Sequence, residues 1–113
     1  MKVLAFITDL FFQSSVAETA RQAGADLQIV TSLYKFIPEL AKKPDCVVID
    51  LQAEGINPSV LISQVKSTDR SIRVVAFGRH TEKEALEQAR LSGADDVMAR
   101  SRFSKALPKL LGK

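Results

Sequence analysis

Three charged residues stand where apolar runs of the chain end: Asp9 near the start, Asp50 in the middle and Arg100 near the close. The run before Asp50, Cys46-Val-Val-Ile, is short and β-branched and reads as a buried strand. In an open α/β sheet the crevice beyond the carboxyl ends of the strands is where ligands and chemistry collect, so Asp50 is a functional candidate by position. A carboxylate there can act as a nucleophile or hold a hard cation. Asp9 stands just before a helical pattern, where an Asp commonly caps the helix. Arg100 has the reach and charge to form an ion pair with Asp50 or Asp9 inside the crevice, which would lock one state.

Other chemistries find little support. Cys46 is the only cysteine, which excludes an internal disulfide or a thiolate cluster and leaves it as a small core residue. His80 is the only histidine and has no second ligand at metal spacing, so it reads as a solvated loop residue. The first strand-to-helix turn, Thr8-Asp-Leu-Phe-Phe12, carries no glycine-rich phosphate loop. The formal charge is +3, but basic residues alternate with acids and no basic run carries aromatics for stacking, which argues against nucleic acid. The basic group Arg100, Arg102, Lys105, Lys109 and Lys113 reads as a solvated face that could attract an acidic partner.

The elements that must position these residues follow a regular order. Residues 2–8 suit a strand, and residues 12–23 carry Phe12, Val16, Ala17, Ala20 and Ala23 near helical spacing before Gly24 supplies a stop. Residues 26–31 suit a second strand. Leu33, Phe36, Ile37 and Leu40 then form a helical stripe behind a Ser32 cap, with Pro38 expected to kink or shorten the helix. After the strand 46–50, Asn57-Pro58 is a strong helix start with Val60, Leu61 and Val65 as its buried stripe. Residues 72–77 suit a fourth strand. Thr81-Glu-Lys-Glu84 reads as a capping box for a helix carrying Ala85, Leu86, Ala89 and Leu91 to Gly93. Residues 97–99 suit the last strand, and Phe103, Leu107, Leu110 and Leu111 a short final helix that tolerates Pro108 only in its first turn. Strict alternation of this kind argues for a parallel sheet with right-handed crossovers and helices on both faces. A length of 113 residues, 46% of them apolar, suits one domain over residues 1–113 with no output module. No stretch resembles a membrane span or a cleavable signal, so a cytoplasmic protein is expected.

Two segments, in order, resemble the receiver domain of two-component response regulators. Lys43-Pro-Asp-Cys-Val-Val-Ile-Asp-Leu51 is similar to the family's Arg/Lys-Pro-Asp, apolar strand and Asp-Leu. Gly93-Ala-Asp-Asp-Val-Met-Ala-Arg100 is similar to its Gly-Ala-Asp-Asp-Tyr-Leu-Thr-Lys. The resemblance covers nearly the whole chain and implies a flavodoxin-like (βα)5 fold, a doubly wound five-stranded sheet of order 2-1-3-4-5 in a three-layer sandwich. It makes Asp50 the counterpart of the phospho-acceptor and puts Arg100 at the lysine position. Any Mg²⁺ would be held by Asp9, Asp50 and the backbone carbonyl of Gln52.

The same resemblance marks departures. Thr8 stands where the family has a second acid for the metal, and Gly78 where it has a Thr or Ser that bonds a phosphoryl oxygen. Val97 replaces an aromatic switch residue, and Ser101 a proline that follows the lysine at a cis-prone bond. Arg100 keeps the charge of that lysine but is bulkier and bidentate. The implied function is a stand-alone atypical receiver, not an enzyme, that works by protein contact with phosphorylation switching impaired or absent. Mg²⁺ binding would be weak at best, and no other cofactor is expected. Partners would be a histidine kinase, an output protein or another regulator, with a homodimer through the fourth helix, fifth strand and fifth helix as one form. Leu10 and Phe11 are further contact candidates, because the loop after the first strand is usually polar in the family, and Arg102 of the basic group is another. One rival is an active regulator that accepts phosphate on Asp50 from a kinase. Another is a flavodoxin-like protein that binds a small ligand in the crevice.

Overall fold

The computed structural model describes residues 1–112, so Lys113 of the basic group lies outside the described residues. Ten elements alternate along the chain: β1 (Lys2–Phe6), α1 (Leu10–Ala23), β2 (Asp26–Val30), α2 (Leu33–Leu40), β3 (Cys46–Asp50), α3 (Pro58–Thr68), β4 (Arg73–Gly78), α4 (Lys83–Leu91), β5 (Asp96–Ala99) and α5 (Arg100–Leu110). The strands pair in parallel in the order β2-β1-β3-β4-β5. This is the expected flavodoxin-like topology. No described helix is long and apolar enough to cross a membrane.

Strand residues point alternately to the two faces and so build two cores. On one face Leu4, Phe6, Val47, Ile49 and Val74 pack with Phe36 and Leu40 of α2, Leu61, Ile62 and Val65 of α3, and Ala89 of α4. On the other, Val3, Ala5, Val48, Val75 and Phe77 pack with Val16 and Ala20 of α1 and with Phe103 and Leu107 of α5. Cys46 is buried in this second core, and that burial pushes its thiol up to about 11. This burial matches the small core residue that was expected.

Local signals set most helix starts. Asn57 caps α3 by accepting the N–H of Val60 at 3.3 Å, with Pro58 as the first helical residue. Ser32 caps α2 in the same way. Four expectations need correction. The capping box at Thr81 does not form; α4 starts at Lys83 with Glu82 before it and no side-chain cap. Pro108 lies near the end of α5, not in its first turn, and the carbonyl it leaves without a donor belongs to Ser104, which is exposed and open to water. Leu10 and Phe11 are the first turn of α1, not a loop. Val60, Leu33, Ile37 and Leu91 are exposed, because each short helix rests on the sheet by a stripe narrower than its run of apolar residues.

Candidate functional site

The ends of β1, β3 and β4 and the start of α5 surround a crevice of about 260 Å³. Asp50, Asp9 and Arg100 all line it, together with Thr8, Gln52, Glu54 and Arg79. The strand register explains the meeting: Phe6 lies beside Ile49, Asp50 beside Phe77 and Gly78 beside Ala99, so the residues that follow each strand emerge at one edge.

Asp9 is the N-cap of α1. Its Oδ1 accepts the N–H of Phe12 at 3.1 Å, and its Oδ2 accepts from Nη2 of Arg100 at 2.9 Å. These bonds, that to Phe12 first and the Arg100 contact next, hold its carboxyl below the usual range. Arg100 is the first residue of α5, and its guanidinium carbon lies 4.2 Å from the centre of the Phe12 ring. Its Nε is buried without an acceptor. Of the two ion pairs open to Arg100 from the sequence, the structure forms the one with Asp9; among the described residues Asp50 has no ion-pair partner.

Asp50 is 3% exposed and is the one charged residue in the buried set among the described residues. Its Oδ1 accepts the N–H of Gln52 at 2.9 Å. Burial pushes its carboxyl above the ordinary value, against the pull of that hydrogen bond and of the Arg100 charge.

Gln52 carries a role that the sequence did not reveal. A Cβ built on Gly78 would lie 3.0 Å from Oε1 of Gln52 and 3.3 Å from Cβ of Leu51. The Gln52 side chain therefore lies in the room that a side chain at position 78 would need. There its Oε1 accepts the N–H of Arg79 at 3.0 Å. The signal was a glycine at a strand end, a vacancy that a neighbouring loop must fill. Thr8 likewise has a local task, accepting the N–H of Glu54 at 3.3 Å and so tying the end of β1 to the loop after β3.

The remaining positions are outside the crevice lining. Val97 packs against the core beneath α3 and α4, and Ser101 is exposed on the first turn of α5 after a trans bond. Leu10 is 73% and Phe11 91% exposed, and Arg102 is exposed too. His80 is exposed in the loop after β4.

The donor set does not suit Mg²⁺ in this arrangement. A cation of that kind demands six oxygens in near-octahedral geometry. Both oxygens of Asp9 and one of Asp50 are already engaged, and Thr8 brings a neutral hydroxyl. Although Glu54 also lines the crevice, no three acidic, histidine or cysteine side chains among the described residues are placed to hold one ion. The guanidinium of Arg100 supplies the positive charge that offsets the carboxylates.

No protein-family model matches the sequence, and no curated protein does either. Solved structures match it closely in shape. NtrX from Brucella abortus superposes with a TM-score of 0.85 at 17% identity over 96% of this chain, which spans only 25% of that chain. The signal receiver domain of a DNA-binding response regulator from Colwellia psychrerythraea gives 0.83 at 19% identity, covering 100% of this chain and 99% of that one. The receiver domain of a sensor histidine kinase from Pseudomonas aeruginosa, with a magnesium ion coordinated in its active-site cleft, gives 0.80 at 13% identity over 99% and 98% of the two chains. At these identities the likeness is one of fold: this chain has the fold of response-regulator receiver domains.

Proposed function

We propose that this chain is an atypical receiver-type signalling module, one domain over residues 1–113, that acts in the cytoplasm through protein contact with phosphoryl switching impaired. The observation that carries this reading is the ion pair between Arg100 and Asp9, which engages one of the two carboxylates that the family resemblance assigns to a metal. Two further features support it. Gly78 offers no hydroxyl to a phosphoryl oxygen, and the Gln52 side chain fills the room beside it. Val97 lacks the aromatic ring that would report a change to the surface. The contact surface in this reading is α4, β5 and α5, with Leu10, Phe11 and Arg102 nearby, and the partner a histidine kinase, an output protein, another regulator or a second copy.

The test is an amide-resolved titration with Mg²⁺ and fluoroberyllate, a phosphoryl mimic. Signals around Asp50 are expected to stay in place. Saturable shifts at low millimolar Mg²⁺ would overturn the reading.

A second reading, phosphate acceptance on Asp50, draws support from Asp9 and Asp50 lying in one crevice. The magnesium-bearing cleft of the Pseudomonas receiver domain makes it worth testing. It expects acetyl phosphate to add one phosphoryl group to the protein but none to Asp50→Asn, as read by intact mass. An unchanged mass for the unmutated protein counts against it.

A further inference from the structure

A second hollow, larger than the crevice at about 570 Å³, adjoins it and shares Asp9, Arg79 and Arg100 with it. Its walls are the first turn of α1, the loop from β4 to α4 and the first turn of α5. We propose that this groove binds a small aromatic anion, with the ring against Phe11 and Phe12 and the anionic head toward Arg79, His80 and the start of α5.

Size is the first argument. The hollow falls within the roughly 300–1,000 Å³ typical of small-molecule sites. Its lining is divided as such sites are, with Phe11, Phe12 and Ala99 apolar and Thr81, Ser101 and Ser104 able to donate hydrogen bonds. The charge is one-sided. Asp9 is the one acid on the wall and is already matched by Arg100, whereas Arg79 makes no ion pair among the described residues. Ala99 precedes α5 and offers no side-chain cap, so the leading N–H groups of that helix add a partial positive charge to the same wall. An aromatic ligand is favoured over an aliphatic one because Phe11, at 91% exposure, presents nearly a whole ring to solvent beside these cations. The inference stands apart from the question of phosphorylation, and a protein partner resting on Phe11 would compete with the ligand.

The probe is 8-anilinonaphthalene-1-sulfonate, titrated by fluorescence against the full chain, with its uncharged relative N-phenyl-1-naphthylamine as control. One saturable site is expected, at least about tenfold tighter for the anion, a difference of about 1.4 kcal/mol. Amide shifts should centre on Phe11, Thr81, Ser101 and Ser104. Phe11→Ser and Arg79→Gln should each weaken binding severalfold, and Arg79→Lys should keep most of it. Both side chains are exposed, so the variants are expected to fold, and unchanged melting would verify this. Equal affinity for the neutral dye, no saturable binding, shifts centred on Leu33 and Val60 instead, or unaltered binding in both variants would each overturn the proposal.

Discussion

Asp9 and Asp50 share a crevice, yet their surroundings displace the two carboxyls in opposite directions from the ordinary value. For Asp9 the folded value is depressed, so its contribution to stability is present above the unfolded value and is lost as pH falls through the folded one. For Asp50 the folded value is raised, so the ionised group opposes folding at neutral pH and the penalty fades as pH falls through that raised value. Asp50→Asn should therefore raise the urea midpoint at pH 7, with a gain that shrinks toward zero as pH approaches the ordinary carboxylate value. Asp9→Asn keeps a good cap but loses the charge facing Arg100, and should lower the midpoint at pH 7 with a loss that shrinks in acid. A loss of stability in Asp50→Asn at neutral pH would contradict this account. The sequence offered Arg100 either acid, and chain order alone could not choose. The choice follows from α5 beginning at Arg100 itself, which brings the side chain over Phe12 and onto Asp9. Gln52 was legible only as a backbone carbonyl, because its side-chain role depends on the register that sets Asp50 beside Phe77 and Gly78 just beyond.

Helix starts separate what a local motif can tell from what it cannot. Asn57-Pro58 works because cap, first residue and bonded N–H all lie within four positions, and nothing distant competes. Thr81-Glu-Lys-Glu84 has an equally good pattern, yet the chain leaving β4 turns through Arg79 and His80 and enters α4 one residue later than that pattern requires. Asn57→Ala should cost about 1 kcal/mol, and Thr81→Ala no more than about 0.5 kcal/mol, both read as shifts in urea midpoint. A comparable loss at Thr81 would show that its hydroxyl caps the helix in solution. Strand β3 was read to the residue because all five of its positions are buried and apolar pattern alone marks it. Edge strand β5 is only half-buried, and its first residue, Asp96, is tied to Arg73 across the sheet at 2.8 Å, a long-range bond that apolar pattern does not register.

For the molecule as a whole, the face covered by α1 and α5 depends on one aromatic cluster. Phe77 stacks on Phe103 at 4.4 Å between centroids, and Phe12 meets Phe77 at 5.0 Å and Phe103 at 6.0 Å. Phe77→Ala should cost about 3–5 kcal/mol, a large share of the stability of a small domain, whereas Phe11→Ala, one residue from that cluster in sequence but exposed, should change it by no more than about 0.5 kcal/mol. Chemical denaturation of the two variants side by side checks the contrast. The same geometry bears on synthesis. Asp9 and Arg100 are separated by 91 residues, so a ribosome releasing the chain from its amino end completes α1 on the order of ten seconds before the group that closes over its leading turn emerges. Through that interval the nascent chain carries an uncovered Phe12 and a helix without its counterpart, and it is in that window, not in the finished molecule, that a chaperone would find most to hold.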